Sequence, residues 1–164
     1  MIFVTVGSMF PFDRLVRAMD EHVAVGRIRD SVFAQIGSGT YQPVAMPFER
    51  FVDKARFDDL LASADCIVSH AGIGSIATAL KHGKPMLVLP RRRRYGEHVN
   101  DHQVATARRY AELGHVLLAE DECDIPAVLE RLPAFRPTPR HVDIDGIAVR
   151  IGDFIRDVQA RRVK

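Results

Sequence analysis

The residues of this 164-residue chain with the most chemical reach crowd between Asp65 and Gln103. His70, Ser75 and Thr78 surround two glycines, Gly72 and Gly74. Arg91, Arg92, Arg93 and Arg94 form an unbroken basic run, and Asn100, Asp101, His102 and Gln103 follow it. A second small-residue turn, Gly7-Ser8, lies near the start. Glycine turns let backbone N–H groups approach an anion, and a helix opening after such a turn adds its positive dipole end. Guanidinium groups fork onto phosphate or carboxylate. Imidazole and amide side chains carry both donors and acceptors, which suits sugar hydroxyls. The combination points to a nucleotide-sugar pocket.

Each feature also has a plainer reading. A lone histidine is usually a satisfied core residue, but His70 stands at a strand end beside a glycine turn, where a ligand-facing role is expected. Asn100 fits a helix N-cap. Four adjacent arginines repel one another and gain little as a solvated loop. An anionic partner is therefore expected for Arg91–Arg94: a diphosphate, a carboxylate-bearing sugar or a membrane surface. Gly72-Ile73-Gly74-Ser75-Ile76-Ala77 matches the dinucleotide pattern G-x-G-x-x-A. That pattern normally follows the first strand, with an acidic residue about 20 positions on. Here it comes mid-chain and arginine stands downstream, so an NADP-binding module is an alternative that rests on arginine taking a 2′-phosphate. No Cys/His spacing suggests a metal, and no Gly-x-Ser-x-Gly elbow suggests a hydrolase.

The elements that must position these residues follow from apolar spacing. Strands are expected at Ile2–Val6, Val32–Ile36, near Val44–Met46, at Cys66–Ser69, Met86–Leu89 and His115–Leu118. Helical spacing runs through Phe12, Leu15, Val16, Met19 and Val23. It runs again through Phe57 to Ala64, from Ser75, over Asp101 to Leu113 (Val104, Ala107 and Ala111 inward), and over Ile125–Leu132. This alternation predicts an α/β fold, a Rossmann-like, mostly parallel sheet with helices on both faces. Ligands in such sheets bind outside the carboxyl ends of the strands, where all the turns named above fall. Residues 1–132 read as the ligand-binding domain. Residues 133–164 read as a proline-rich linker (Pro133, Pro137, Pro139) and an amphipathic helix packed on the same domain through Ile147, Ile151, Phe154, Ile155 and Val158.

The bulk numbers agree with a cytoplasmic globular domain. Hydrophobic content is 47%, charged content 27% and net charge +2, too small to imply nucleic acid. Basic residues also cluster at Arg161, Arg162 and Lys164. Cys66 and Cys123 make no disulfide framework, and a buried, reduced Cys66 is expected. No apolar run reaches the length of a membrane span, and the start lacks the pattern of a signal peptide.

Ser69-His70-Ala71-Gly72-Ile73-Gly74-Ser75, His82-Gly83-Lys84-Pro85 and Asn100-Asp101-His102-Gln103 resemble the C-terminal, donor-binding half of GT-B glycosyltransferases of family 28, which includes the MurG transferase of peptidoglycan synthesis. Phe3-Val4-Thr5-Val6-Gly7-Ser8 and Phe12-Asp13-Arg14-Leu15 are more similar still to stand-alone relatives. These are the cytosolic subunit of the eukaryotic transferase adding the second N-acetylglucosamine to dolichol-diphosphate, and bacterial PssE-like exopolysaccharide subunits. The resemblance covers roughly residues 1 to 120. It implies one half of a GT-B fold that binds a UDP-sugar and needs no metal. It also implies a membrane-anchored partner subunit that supplies the acceptor half, a lipid-diphosphate-linked sugar acceptor, and recruitment to the inner face of the membrane. By position, the backbone of Phe51-Val52 would read uracil, Gly7-Ser8 and Gly72–Ser75 would hold the diphosphate, and His102 and Gln103 would face the donor sugar. Thr78 stands where many members carry a glutamate for the ribose. The general base is expected in the partner, with His70 as a local candidate. A non-catalytic regulatory nucleotide-binding subunit is the other alternative.

Overall fold

Short strands apolar on both faces belong in a sheet covered on both sides. The computed structural model describes residues 1–139 and 144–162. Its strands are β1 (Ile2–Thr5), β2 (Val32–Gln35), β3 (Phe48–Glu49), β4 (Cys66–His70), β5 (Met86–Leu89) and β6 (Leu117–Leu118). They form one sheet in the order β3-β2-β1-β4-β5-β6, and every pairing is parallel. The helices are α1 (Asp13–Ala24), α2 (Lys54–Ser63), α3 (Ile73–Lys81), α4 (His102–Glu112), α5 (Ile125–Arg131) and α6 (Ile144–Arg162). The expected α/β architecture is present. The order reverses between β1 and β4, which opens a crevice at their carboxyl ends.

Alternate strand residues feed opposite cores. Ile2, Val4, Val6, Val68, Leu87 and Leu89 pack with Leu15, Val16 and Met19 of α1 and with Ile125 and Val128 of α5. Ile67, Met86 and Val88 pack with Ile76, Ala79 and Ala107 on the other face. Phe3 joins Leu60 of α2 and Ala64 just after it there. Burying such side chains contributes about 1.5–3 kcal/mol each, so the sheet is a rigid floor for the loops at its carboxyl edge.

The third strand lies at Phe48–Glu49, not near Val44–Met46. The reason is Asp20, a buried carboxylate on α1. It accepts from the N–H groups of Val44 (2.9 Å), Ala45 (2.7 Å) and Met46 (3.2 Å) and from the Tyr41 hydroxyl (2.7 Å). Those donors are lost to a ladder, so pairing starts only at Pro47, whose carbonyl accepts from Ala34 N–H. Burial pushes the Asp20 carboxyl up, but the hydrogen bonds from Val44, Tyr41, Ala45 and Met46 outweigh it and hold the group below its usual range. Asp20→Ala is expected to cost about 2 kcal/mol in chemical denaturation at neutral pH, because it strands several donors. A depressed carboxylate stabilises above its unfolded pKa and loses that contribution as pH falls through the folded value. The gap between wild type and variant should therefore close in acid. A gap of equal size at about pH 7 and about pH 3 would contradict this account.

Boundaries shift elsewhere too. β6 is shortened because the backbone N–H of His115, expected in the strand, bonds the Tyr110 carbonyl of α4 (2.9 Å), and its side chain donates from Nδ1 to the Thr138 carbonyl (2.7 Å). Thr138 N–H returns a bond to the Gly114 carbonyl (2.8 Å), which fastens the proline-rich segment beneath β6. In α4, Gln103 and Ala107 are buried, while Val104 and Ala111 are half-buried. In α6, Ile151, Phe154 and Ile155, expected to pack inward, are exposed, Phe154 by 68%. The side chains of Ile147, Arg161 and Arg162, and Lys164 as a whole, lie outside the described residues. Cys66 is half-buried, and burial pushes its thiol up to about 11. Among the described residues no helix is long and apolar enough to cross a membrane.

Candidate nucleotide-sugar site

β1 and β4 pair in register Thr5↔Ser69, so the Gly7 loop and the His70–Ser75 turn leave the sheet side by side. A buried polar network welds the two. Ser69 Oγ donates to the Thr5 carbonyl (2.6 Å) and Thr5 Oγ1 donates to Gln35 Oε1 (2.8 Å). Gly7 N–H donates to Thr5 Oγ1 (3.3 Å), and Gln35 Nε2 donates to the Gly7 and Arg50 carbonyls (3.2 and 2.9 Å). Satisfied networks of this kind rigidify a site.

His70 is wedged between glycines. A Cβ on Gly7 would come 2.9 Å from His70 Nε2, and one on Gly72 would come 2.2 Å from Cε1. Gly7 also has φ of +73°, which disfavours side chains. Gly72 is the N-cap of α3 and offers no side chain to its first-turn N–H groups, so these point toward any anion placed there. The helix begins at Ile73, two residues before the expected start at Ser75.

The tautomer of His70 follows from its partners. Arg91 N–H can only donate, and it meets Gln103 Oε1 at 3.2 Å. Gln103 Nε2 therefore turns its hydrogens to His70 Nδ1 (3.3 Å). The ring proton then sits on Nε2 and is donated to Ser75 Oγ (3.2 Å). That leaves the Ser75 hydroxyl hydrogen available to a ligand. Burial, and next the charge of Arg91, push the His70 pKa down to about 3. A neutral imidazole with both nitrogens engaged is a poor general base at neutral pH.

The four arginines, expected to act together on an anion, do not share one environment. Arg91 is 2% exposed and donates through one terminal nitrogen to the Val6 and Phe10 carbonyls (2.7 Å each). Arg92 donates to the Glu120 carbonyl (2.6 Å) and pairs with its carboxylate (3.3 Å), and Arg94 pairs with Asp121 (3.3 Å). Arg93 lends its N–H to Asp101 (2.8 Å). Acids downstream in sequence, at 120 and 121, pair with Arg92 and Arg94.

Gly7, Ser8, His70, Gly74, Ser75, Thr78, Arg91 and Gln103 line one cavity of about 360 Å³. Thr78 Oγ1 is turned back on its own helix, to the Gly74 carbonyl (2.9 Å). Gly72 supports His70 from behind. Phe51, Val52, Asn100 and His102 do not line the cavity. Phe51 is exposed, and His102 contacts Asn100 and stacks edge-on to His98. Phe10, Phe57 and His98 line the cavity without having been anticipated. Phe10 and His98 stack at 5.0 Å across its mouth, one from the loop after β1 and one from the loop after β5. Their only signal in sequence was their position after strands. Among the described residues no group of three His, Cys, Asp or Glu is placed to hold a metal ion.

The model of the glycosyltransferase family 28 C-terminal domain matches residues 1–139. The chain belongs to this family. The UDP-N-acetylglucosamine transferase subunit ALG13 of Homo sapiens is 32% identical over 124 residues, covering 70% of this chain but 10% of that protein's length. The subunit of the same name from Eremothecium gossypii is 25% identical over 158 residues, covering 75% of this chain and 76% of the relative. Among solved structures, the calicheamicin glycosyltransferase CalG4 superposes with a TM-score of 0.59 at 21% identity, over 81% of this chain and 34% of its own. That likeness shows the fold, and the family 28 domain here spans about a third of that solved chain.

Proposed function

We propose that this family 28 domain is the donor half of a two-subunit inverting glycosyltransferase. It takes a UDP-sugar at the crevice between β1 and β4 and extends a lipid-diphosphate-linked glycan. The observation that carries the reading is the cavity itself. It joins the open N-terminus of α3, a neutral His70 and the amide of Gln103, and no Asp or Glu lines it. Phosphates would rest on the Gly7–Ser8 and Gly72–Ser75 backbone, and the sugar would meet Gln103 and His98.

In the reaction the acceptor hydroxyl oxygen bonds to the anomeric carbon as the bond from that carbon to the diphosphate breaks, and UDP leaves with the electron pair. Fixed N–H dipoles at the helix end stabilise the charge growing on the diphosphate. The acceptor proton goes to a base that we assign to the partner, since His70 is too weak a base here. The partner reading is supported by Met9, Phe51, Ile73 and Val99, exposed apolar residues that follow β1, β3, β4 and β5 at the carboxyl edge of the sheet, Ile73 opening α3. An apolar rim about a polar site suits a second, acceptor-bearing half. That partner would also hold the chain at the inner face of the membrane.

Calorimetry with UDP and NADP tests the donor reading, and UDP should bind more tightly. The NADP alternative rests on an arginine taking the 2′-phosphate; of the run, Arg92 and Arg94 are already paired. Tighter NADP binding would overturn the proposal. The enzyme reading is tested by transfer from a UDP-sugar to a lipid-diphosphate acceptor with and without a membrane-anchored partner. Transfer only by the pair is expected. Robust transfer by the chain alone, or none by the pair, would reject it, the latter in favour of a regulatory subunit.

A further inference from the structure

We propose that Arg91 is the single charge that makes this site select a diphosphate, and that Arg92 and Arg94 take no part. The inference rests on the donor reading above and assigns within it the residue that recognises the leaving group.

Arg91 is the only lysine or arginine lining the cavity. Its neighbour His70 carries no charge at neutral pH, and no carboxylate among the described residues lies within ion-pair distance of Arg91. Glu97, the nearest acid by electrostatic influence, is already forked onto Arg14 (2.7 and 3.0 Å) and takes the Arg92 N–H (2.8 Å). The Arg91 Nε is shielded from solvent and has no acceptor. A buried charge without a counter-ion is costly. Burial accordingly pushes the Arg91 pKa down to about 10, so the group stays protonated while remaining uncompensated. An anionic ligand in the cavity supplies the missing charge.

The side chain does a second job. By donating to both the Val6 and Phe10 carbonyls it spans the Gly7–Met9 loop, and its guanidinium lies 4.9 Å over the Phe12 ring. The loop expected to carry the phosphates is thus shaped by the cation that would attract them. Arg92 and Arg94 have their own acids and face a separate shallow depression with Arg108.

The test compares uridine, UMP, UDP and inorganic pyrophosphate in calorimetry with wild type, Arg91→Gln, Arg91→Lys and Arg92→Gln/Arg94→Gln. Arg91→Gln keeps a neutral polar donor and removes the charge. It should weaken UDP and pyrophosphate by about 10- to 100-fold, the cost of a charge-assisted contact. It should weaken UMP less and leave uridine unchanged, and the salt dependence of UDP binding should flatten. Arg91→Lys should recover most of the preference, and the double variant should match wild type. An equal loss for uridine and UDP would make Arg91 merely structural and overturn the proposal, as would unchanged UDP binding. If UDP does not bind but pyrophosphate does, and Arg91→Gln weakens it, the uridine reading fails while the role of Arg91 stands. No binding of either by wild type rejects both. A ligand-free check is the His70 titration by NMR. Its pKa should rise in Arg91→Gln, and an unmoved value would show that the guanidinium charge is not felt at the site.

Discussion

Gly74→Val should cut UDP affinity by about 100-fold or more, equivalent to roughly 2.7 kcal/mol, and leave thermal stability almost unchanged. A Cβ at Gly74 meets no protein atom within 4 Å, and the residue lines the cavity in the first turn of α3. The Cβ itself therefore has room, little strain on the fold is expected, and helix propensity even improves slightly over glycine. The added methyl groups occupy volume over the N–H groups where the diphosphate is proposed to sit. Gly72→Ala is the contrasting variant. Its Cβ would lie 2.2 Å from the His70 ring, so His70 must move, and both stability and binding should fall. Calorimetry and thermal melts on the pair separate the cases. UDP affinity in Gly74→Val within about threefold of wild type would place the phosphates elsewhere.

Arg14→Ala should lower folding stability by about 3 kcal/mol, the cost of breaking a buried ion network from one side. Every nitrogen of the Arg14 guanidinium is engaged. Nε and one terminal nitrogen fork onto Glu97, the other reaches Asp121 (3.1 Å) and Glu122 (2.8 Å), and the Pro90 carbonyl accepts at 2.9 Å. The group also stacks on Tyr95 at 4.8 Å. It ties α1 to the loop after β5 and to the turn before α5. Burial works against its charge, but the carboxylates, Glu97 first, outweigh this and raise its pKa above the ordinary value. Lysine cannot reproduce a planar fork with this many acceptors, so Arg14→Lys should recover little. Because the tethered loop carries Arg91 and His98, UDP affinity should fall with stability. Urea denaturation followed by fluorescence is the measurement, and an unchanged midpoint would mean that the network does not hold the loop.

Much of this protein was legible in its sequence because the signals were local. Apolar runs closed by turns gave the strands of a two-sided sheet, since a strand buried on both faces is apolar at most positions. The turn at His70–Ser75 and the amide Gln103 were found because strand-end placement in a parallel sheet forces them to one edge. The match of residues 1–139 to one family shows how far that pattern extends along the chain.

What the sequence did not decide were the partners across long separations. Four adjacent arginines look alike in sequence. The fold buries Arg91 and gives Arg92 and Arg94 to acids 28 and 27 residues away. The expected strand at Val44–Met46 was apolar enough, yet Asp20, 24 to 26 residues earlier, captured its donors. Arg14 reaches Glu97 and Glu122 across 83 and 108 residues. Periodicity reports which face of an element is apolar, but a charge satisfies itself with whatever opposite group the tertiary fold brings within 3 Å or so. Sequence therefore determined the sheet, its loaded edge and the residue types of the site. Only the packing of distant loops decided which cation stays unpaired there, because pairing depends on distance in space and not along the chain.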